Sequence, residues 1–579
     1  MISRDRTTSL FQALPIWLLL GALLLLPVGT LVRESFRAPT EDDEAADLVV
    51  YDRAMTHYQA AVAPDAMKVY WRSCWVGVLT TAITLTVGYP VAYFIAIVAR
   101  PQWRNLLLIA VAIPFWTSLV IRTSAWKLIL GTGGPIDLLT RWMGGGAFDR
   151  TDTPLAVIIS LVYCELPFMV LPIYASLEKL DRTLLSAAAD LGASPGRAFW
   201  RVTWPLTRPG VLAGCAIVYI GSAGQYVIAE LMGGNKFPLA GSWINTYFLG
   251  EAPNRPRGAA VALVVMAGML ASMVALWGIA WSLGTGLRWV GARVDEVIGA
   301  ARRKPTEPAP WVTRTGQLGA AFLNRTFGLK AITWLAMLFL YVPILVLVVF
   351  SFNDGRSQAV WRGVTGKWYA AAVHNEDVAR AVKHTITVAA GSTLVSTIVG
   401  TLAGLALAKR FPGRRATAGL LFVPVVIPEI VLAVALLTAL SAVPWGQTVG
   451  GLVLAHATFC TSYVALVVRA RLAGFDRTLE EAARDLGAGK LATFWRVKFP
   501  LILPGILAGA ILALTVSVDD YLVTAYVRPA GFDTLPTYIY SKVKGGVTPE
   551  VNAVSTLMLA ATIAIVLAGA WIGRDRRTA

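Results

Sequence analysis

Long apolar runs separated by short polar segments make up most of this chain. A transmembrane helix needs about 20 consecutive, mainly apolar residues, and each half of the chain carries a set of runs near that length. The runs lie at approximately 13–32, 72–98, 104–130, 154–178, 208–230, 258–285, 331–352, 381–408, 415–441, 448–470, 503–526 and 552–573. The pattern predicts an all-α, polytopic membrane protein with twelve transmembrane helices in two six-helix halves.

Two of the polar segments are near copies of each other. Residues 181–214 read DRTLLSAAADLGASPGRAFWRVTWPLTRPGVLAG, and residues 476–509 read DRTLEEAARDLGAGKLATFWRVKFPLILPGILAG, with a constant offset of 295 and no gap. A long internal repeat is the mark of duplication or fusion. We therefore expect two pseudo-symmetric membrane units, 1–285 and 331–579, that each present the same polar element.

The segment 286–330 separates the two units. It contains ARRKPTEPAP at 301–310, where proline and charge disfavour a packed helix. We expect a cytoplasmic linker that acts as a plain tether, with a regulatory site as the alternative.

Composition and charge agree with a membrane protein and exclude other classes. Of the 579 residues, 56% are hydrophobic and only 15% are charged, with a net charge of +17, whereas average globular domains are about a quarter charged. The basic residues lie in short loops, as the positive-inside bias requires, which predicts cytoplasmic termini and contact with membrane lipid, not nucleic acid. The four cysteines lie in apolar runs and the four histidines are scattered, so no disulfide framework or metal site is expected.

The repeated segments, about 180–206 and about 475–501, have the pattern of a helix–turn–helix under the membrane. In the second copy, helix formers around Glu481 are followed by Gly487, which permits a turn, and by a short helix that carries Trp495. Pro500 and Pro504 are expected to end this helix before the next span. Exposed apolar side chains indicate a docking surface, with a hairpin resting on lipid as the alternative. Two aligned copies favour docking onto two equivalent partners.

The repeated segment resembles the EAA motif of binding-protein-dependent ABC transporter permeases: Glu-Ala-Ala, three residues, Gly, then nine residues and a hydrophobic–x–hydrophobic–Pro ending. In that family the loop docks in a cleft of the ATPase subunit and transmits ATP-driven closure. The docking residues that the resemblance implies, with the aligned tryptophans, are Ala187, Ala188, Gly192, Trp200, Glu481, Ala482, Ala483, Gly487 and Trp495. Ser186 stands where the first copy should carry Glu, which puts in question whether the two interfaces are equally strong.

The resemblance covers nearly the whole chain. FWTSLVIRTSAWKLIL at 115–130 and YCELPFMVLPIYASLEKLD at 163–181 are similar to the first permease subunit of spermidine/putrescine importers. VPVVIPEIVLAV at 423–434 and VSVDDYLVTAYV at 516–527 are similar to the second subunit. The chain therefore resembles both subunits fused. This implies the type I importer permease fold in a bacterial inner membrane, two copies of an ABC ATPase subunit and a periplasmic solute-binding protein.

The sequence contains no motif for nucleotide hydrolysis. A P-loop needs GxxxxGK followed by Ser or Thr, and the nearest strings, GAGKL at 487–491 and TGKW at 365–368, lack that hydroxyl residue. No Ser-His-Asp or Cys-His constellation is apparent. We expect a chain that is not an enzyme and binds no cofactor, with ATP and Mg held by the partner ATPase subunits.

Ionisable side chains inside apolar runs are candidates for a translocation path, because a charge in the membrane is costly and usually faces a cavity or a partner. Carboxylates could replace water around a cationic cargo, and aromatic faces could add cation–π contacts. The candidate path residues are Asp519, Asp520, Glu165, Glu429, Glu230, Tyr226, Tyr521, Trp116 and Arg122. The repeat offset relates Tyr226 to Tyr521, so a symmetry axis would bring them to facing positions. As structural alternatives, Glu165 could pair with Arg122, and each aromatic residue could be packing.

These features predict the permease of an ATP-driven importer that moves a small polar solute by alternating access, with a polyamine as the preferred cargo. Arg122 and Lys127 lie in a predicted span and would suit an anionic or zwitterionic cargo. An opine, a phosphonate, another amino-acid-like solute and ferric iron are therefore the alternatives. An ion-gradient-driven secondary carrier also suits twelve spans in two halves, but it has no reason to keep a repeated docking loop.

Overall fold

The fold is built from α-helices in both halves of the chain. The computed structural model describes residues 14–15, 17–18, 21–37, 51–251, 253–301, 326–355, 361–408, 411, 413–473, 475–476, 478–546 and 548–574. In the first half the helices are α1 (Leu26–Ser35), α2 (Tyr51–Ala61), α3 (Pro64–Tyr93), α4 (Pro101–Ala112), α5 (Leu119–Leu130), α6 (Pro135–Trp142), α7 (Pro154–Glu178), α8 (Thr183–Asp190), α9 (Pro195–Ala198), α10 (Trp204–Ala223), α11 (Ala240–Leu249) and α12 (Arg255–Ala301).

The second half repeats this order of long and short helices. They are α13 (Thr326–Phe350), α14 (Lys367–His374), α15 (Glu376–Leu407), α16 (Arg414–Val426), α17 (Glu429–Ser441), α18 (Val449–Ala473), α19 (Thr478–Asp485), α20 (Lys490–Thr493), α21 (Phe499–Asp519), α22 (Leu522–Val527), α23 (Leu535–Gly545) and α24 (Pro549–Arg574). Over the described residues the β-structure is limited to one isolated bridge, between Asn353 and Val364. The predicted all-α class is confirmed.

Eight helices of the described part are long and apolar enough to cross a membrane, and two bent helix pairs raise the number to ten. The first and last predicted runs overlap α1 and α24, which are not among those eight. The bent pairs are α4 with α5–α6, at 85°, and α16 with α17, at 104°. The predicted spans 104–130 and 415–441 are therefore each divided into separate helices by a sharp bend. The backbone leaves the helix at Thr117 and Ile427, which are extended, and Pro428 follows the second break.

The predicted spans 208–230 and 503–526 also end early. Helix α10 stops at Ala223 and α21 stops at Asp519, and a short helical segment follows each break. At their beginnings, by contrast, both helices are continuous with the polar repeat through a π-helical turn, at Phe199–Thr203 and Phe494–Lys498. Pro500 and Pro504 therefore do not end a helix there. Pro500 lies in the first turn of α21, where proline is tolerated.

Each half has a core of three mutually packed helices, α3, α7 and α10 in the first and α15, α18 and α21 in the second. Glycine permits the closest approach. A Cβ added at Gly400 would lie 2.7 Å from Cβ of Val464, and one added at Gly404 would lie 2.9 Å from Cγ1 of Val468. Small residues at such contacts are typical of membrane helix packing, because apolar lipid gives helices no hydrophobic reason to associate.

The first helix of each half packs against the other half. Helix α1 contacts α17, and α13 contacts α3 and α5. Tyr163 of the first half donates a hydrogen bond to the carbonyl of Leu340 at 3.1 Å, and Tyr341 of the second half donates to the carbonyl of Ala110 at 2.9 Å. The two halves are therefore joined by exchanged helices as well as by the chain.

Helix α12 continues through 286–301, into the segment expected to be a linker. These residues contain no proline, so nothing in them stops the helix. The rest of that segment up to 325, with all of its prolines, lies outside the described residues.

Candidate functional site

The two repeated polar segments, which we call docking loops 1 and 2, have the same backbone. In each, a short helix ends at a glycine with positive φ, +77° at Gly192 and +84° at Gly487. The N–H of each glycine donates to the carbonyl three residues earlier, and the next N–H donates to the carbonyl five residues earlier. This is the Schellman end of a helix, which favours glycine because a side chain is strained at positive φ.

The start of each docking loop is capped in the same way. An Asp181 Oδ1 atom accepts the N–H of Thr183 at 2.9 Å, and Asp476 Oδ1 accepts that of Thr478 at 2.9 Å. Hydrogen bonds from the backbone and side chain of each threonine lower the pKa of its aspartate. Both carboxylates stay ionised at the helix N-terminus, where the helix dipole favours negative charge.

The docking loops expose matching apolar side chains. Leu191 and Leu486 are each 89% exposed, and Trp200 and Trp495 are 61% and 56% exposed. Neither α8 nor α19, which carry Ser186, Ala187, Ala188, Glu481, Ala482 and Ala483, has a buried residue. The structure thus places all the predicted docking residues on one short helix–turn–helix per half.

Docking loop 2 has ion pairs that docking loop 1 cannot form. Lys498 Nζ lies 2.8 Å from Glu480 Oε1, and Arg484 Nη2 lies 3.8 Å from Glu480 Oε2. At the repeat offset, docking loop 1 has Leu185, Ala189 and Thr203. The two docking loops therefore share a backbone but differ in charge. The presence of Ser186 at the position of Glu481 is one of these differences.

Four candidate path residues meet where the two halves touch at their helix breaks. Asp519, at the end of α21, accepts the N–H of Leu119 at 3.0 Å and so caps α5 of the other half. Its Oδ2 atom lies 3.9 Å from Nη2 of Arg122, which is buried. Glu165 interacts electrostatically with Arg122 and Glu429, and Glu429 interacts with Asp520, Asp519 and Arg122. We call Arg122, Glu165, Glu429 and Asp519 the central charge cluster.

The neighbouring structure keeps the central charge cluster compact. A Cβ at Gly221 would lie 2.7 Å from Oε1 of Glu165, so this carboxylate lies directly against α10. Gly224, the repeat equivalent of Asp519, faces Pro428, whose Cβ would be 2.8 Å from an added Cβ. Thus α10 contacts the break between α16 and α17 through Gly224. The equivalent helix of the other half, α21, contacts the break between α4 and α5 through the carboxylate of Asp519.

Asp520 is adjacent in sequence but has different partners. Its Oδ2 atom accepts from the N–H and the hydroxyl of Thr524, at 2.8 and 2.9 Å, and lies 3.3 Å from Nε2 of His456. His456 is 1% exposed. Asp520 is therefore bound within its own half, whereas Asp519 contacts the other half.

A tyrosine cluster follows the same breaks. Tyr226 and Tyr521 are both buried, and Tyr540 of α23 connects them. The hydroxyls of Tyr226 and Tyr540 are 3.1 Å apart, and the rings of Tyr521 and Tyr540 have centroids 4.2 Å apart. Nearby, Oε1 of Glu230 accepts from Nζ of Lys544 at 2.9 Å. The side chain of Trp116 lies outside the described residues.

Sequence reasoning missed two members of this region, His456 and Tyr540. His456 was read only as one of several scattered histidines, although a histidine inside a long apolar run is itself an intramembrane polar residue that calls for a partner. Tyr540 lies outside the repeat, on a short helix that no apolar run predicted.

Comparison with known proteins places this architecture in a class. The family model described as "Binding-protein-dependent transport system inner membrane component" matches residues 5–282 and 396–574. The chain therefore belongs to this family of multi-pass inner-membrane permeases, which are non-catalytic transport subunits. Family membership excludes the alternative of an ion-gradient-driven secondary carrier.

Three similar proteins each match less than half of this chain. The "Spermidine/putrescine transport system permease protein PotC" of Haemophilus influenzae is 38% identical over 253 residues, 44% of this chain and 98% of that protein. The "Putrescine transport system permease protein PotI" of Escherichia coli K12 is 40% identical over 235 residues, 39% of this chain and 84% of that protein. PotB of H. influenzae is 37% identical over 256 residues, 44% of this chain and 85% of that protein. Such lengths agree with two fused permease units.

Proposed function

We propose that this chain forms the complete translocation path of an ATP-driven polyamine importer. The assignment of the cargo rests on the central charge cluster. In it, three carboxyl groups interact with one guanidinium at the contact between the halves. Ionisable groups inside a membrane usually mark a substrate path, and carboxyl groups suit a cationic solute. The relatives named for spermidine and putrescine support the same cargo.

The partners follow from the docking loops. Two copies of an ABC ATPase subunit bind beneath docking loops 1 and 2, and ATP and Mg are held by those subunits. The exposed leucine and tryptophan of each loop supply apolar contact area that is unusual for a free polar surface. Because only docking loop 2 carries the Glu480–Lys498 pair and Glu481, the two interfaces differ in charge.

The orientation of the chain in the membrane is inferred from the placement of basic residues. Both docking loops and both termini face the cytoplasm, as the positive-inside bias requires. A loaded periplasmic binding protein then meets the opposite face. Closure of the ATPase pair pulls on the two docking loops, which are continuous with α10 and α21, and so acts on the breaks at Gly224 and Asp519.

The presence of Arg122 favours the alternative cargo, an anionic or zwitterionic solute such as an opine or a phosphonate. Its guanidinium is buried in the central charge cluster, 3.9 Å from Asp519. Three carboxyl groups interact with this one guanidinium, however, and that composition favours the polyamine.

The test is the ATPase activity of the reconstituted complex with its binding protein, titrated with spermidine, putrescine and a panel of opines and phosphonates. Stimulation by a polyamine is expected. Stimulation only by an anionic or zwitterionic solute would keep the permease and overturn the cargo. Purification without any ATPase subunit would contradict the proposed partners.

A further inference from the structure

We propose that His456 is a positioning residue for transport: it holds Asp520, and through Asp520 it fixes the break that directs Asp519 to the other half. The inference rests on the proposed function, since it assigns a role within that path. It also separates two adjacent carboxylates, of which Asp519 faces the path and Asp520 supports it.

The contacts of Asp520 are those of a helix cap. Its carboxylate accepts the N–H groups of Val523 and Thr524, at 3.4 and 2.8 Å, in the first turn of α22. The Thr524 hydroxyl donates to the same carboxylate at 2.9 Å. A side chain that accepts these N–H groups sets the direction in which the chain enters the helix. Asp520 thereby determines how the backbone turns between α21 and α22.

His456 ties this cap to two other helices. Its Nε2 atom lies 3.0 Å from Oγ1 of Thr524 and 3.3 Å from Oδ2 of Asp520. Its Nδ1 atom lies 2.8 Å from the hydroxyl of Ser517, which lies 2.9 Å from the hydroxyl of Ser392. One imidazole on α18 therefore connects α15, α21 and α22. His456, Ser517, Ser392 and Thr524 are buried, so little solvent is available to replace the imidazole where it is removed.

The first half solves the same problem without a histidine. At the repeat offset, Leu161 corresponds to His456, Gln225 to Asp520 and Ala229 to Thr524. The amide oxygen of Gln225 accepts the N–H groups of Tyr226 and Val227, at 3.0 and 3.1 Å, which are one and two residues on, whereas Asp520 accepts those three and four residues on. In the first half a neutral amide with different backbone partners is accompanied by leucine, whereas the carboxylate of the second half is accompanied by histidine. This pairing indicates that His456 is present for the carboxylate of Asp520.

The test uses the full chain with its ATPase and binding protein, and measures uptake of labelled putrescine at several concentrations. His456→Leu should reduce uptake at least fivefold at equal amounts of assembled complex, mainly through a higher KM, because Asp519 is misdirected. Asp520→Gln should reduce uptake less than His456→Leu does, because it removes the carboxylate that His456 holds. The double variant His456→Leu/Asp520→Gln, which has the residues of the first half at these two positions, should recover much of what His456→Leu loses.

Several outcomes would overturn the proposal. Unchanged uptake by His456→Leu would do so, as would a double variant no better than His456→Leu. Loss of uptake in Asp520→Gln would show that the charge of Asp520 itself serves the cargo; this variant decides the point even if His456→Leu does not assemble. His374→Leu, at an exposed histidine on α14, is the control. Absence of putrescine uptake in the unmodified complex would instead count against the proposed cargo.

Discussion

At the scale of single residues, the structure assigns different positions to carboxylates that look alike in the sequence. Asp519, Asp520, Glu165 and Glu429 were all predicted as path residues because each is an ionisable group in an apolar run. The structure brings three of them to Arg122. Asp520 lies beside His456 and meets this group through its electrostatic interaction with Glu429. The membrane depth predicted from sequence position cannot distinguish the roles of two adjacent aspartates, because the helix break between them turns their side chains in different directions.

Asp519→Asn should impair uptake of a dication. The substitution keeps an oxygen for the N–H of Leu119 but removes the negative charge. Hydrogen bonds to charged groups contribute about 1.5–3 kcal/mol, so we expect KM to rise roughly tenfold or more. Uptake of labelled putrescine against concentration measures this, with Asp149→Asn, an exposed carboxylate elsewhere, as the control. A normal KM would show that Asp519 is purely structural.

Gly487→Val should uncouple the ATPase while leaving membrane insertion intact. A β-branched residue at φ +84° is strained, by about 1–2 kcal/mol, and the end of α19 would rearrange. Gly489→Val is the matched control, because Gly489 lies two residues away, is also in open space and has φ −65°. Co-purification of the ATPase subunit and uptake are the measurements. Equal behaviour of the two variants would rule out a role for the Schellman turn.

At the scale of elements, the helix breaks are the feature that hydropathy did not predict. Four predicted spans are interrupted, and the breaks carry Asp519, Glu429 and the tyrosines. Non-helical backbone at membrane depth is tolerated only where it is buried in protein or lines a cavity. An apolar run shows that a segment enters the membrane, but not that its helix is continuous.

Gly224→Ala should disturb the contact between the end of α10 and the break before α17. The added methyl group would lie 2.8 Å from Cβ of Pro428, whose ring cannot move aside easily. We expect reduced uptake with normal insertion, because the contact between the halves shifts. Gly419→Ala, on α16 with nothing within 4 Å, is the control. If Gly224→Ala transports like Gly419→Ala, this contact does not govern transport.

At the scale of the whole molecule, the exchanged first helices make the halves depend on each other. Helix α13 packs on the first half, and α1 packs on the second. Hydrogen bonds of Tyr163 and Tyr341 cross between the halves at 3.1 and 2.9 Å. Covalent fusion is therefore not the main link between the two units.

Two separate chains, one ending and the other beginning between residues 302 and 325, should assemble and transport when produced together. The buried contacts of α1 and α13 supply the association, and relatives such as PotC match only 44% of this chain. A tag on one half should capture the other half, and uptake should persist. Failure of the halves to co-purify would show that the connecting segment is required.

The sequence by itself determined the membrane class, the two-unit plan and both docking loops. These depend on local quantities: hydropathy, an ungapped repeat, and a glycine followed by exposed apolar residues. Only the tertiary structure decided where the helices break and that Arg122 forms an ion pair with Asp519. It also showed that His456 and Tyr540 belong to the site. These depend on contacts between residues far apart in the chain, such as Leu119 with Asp519, and no local pattern encodes which half a carboxylate will face.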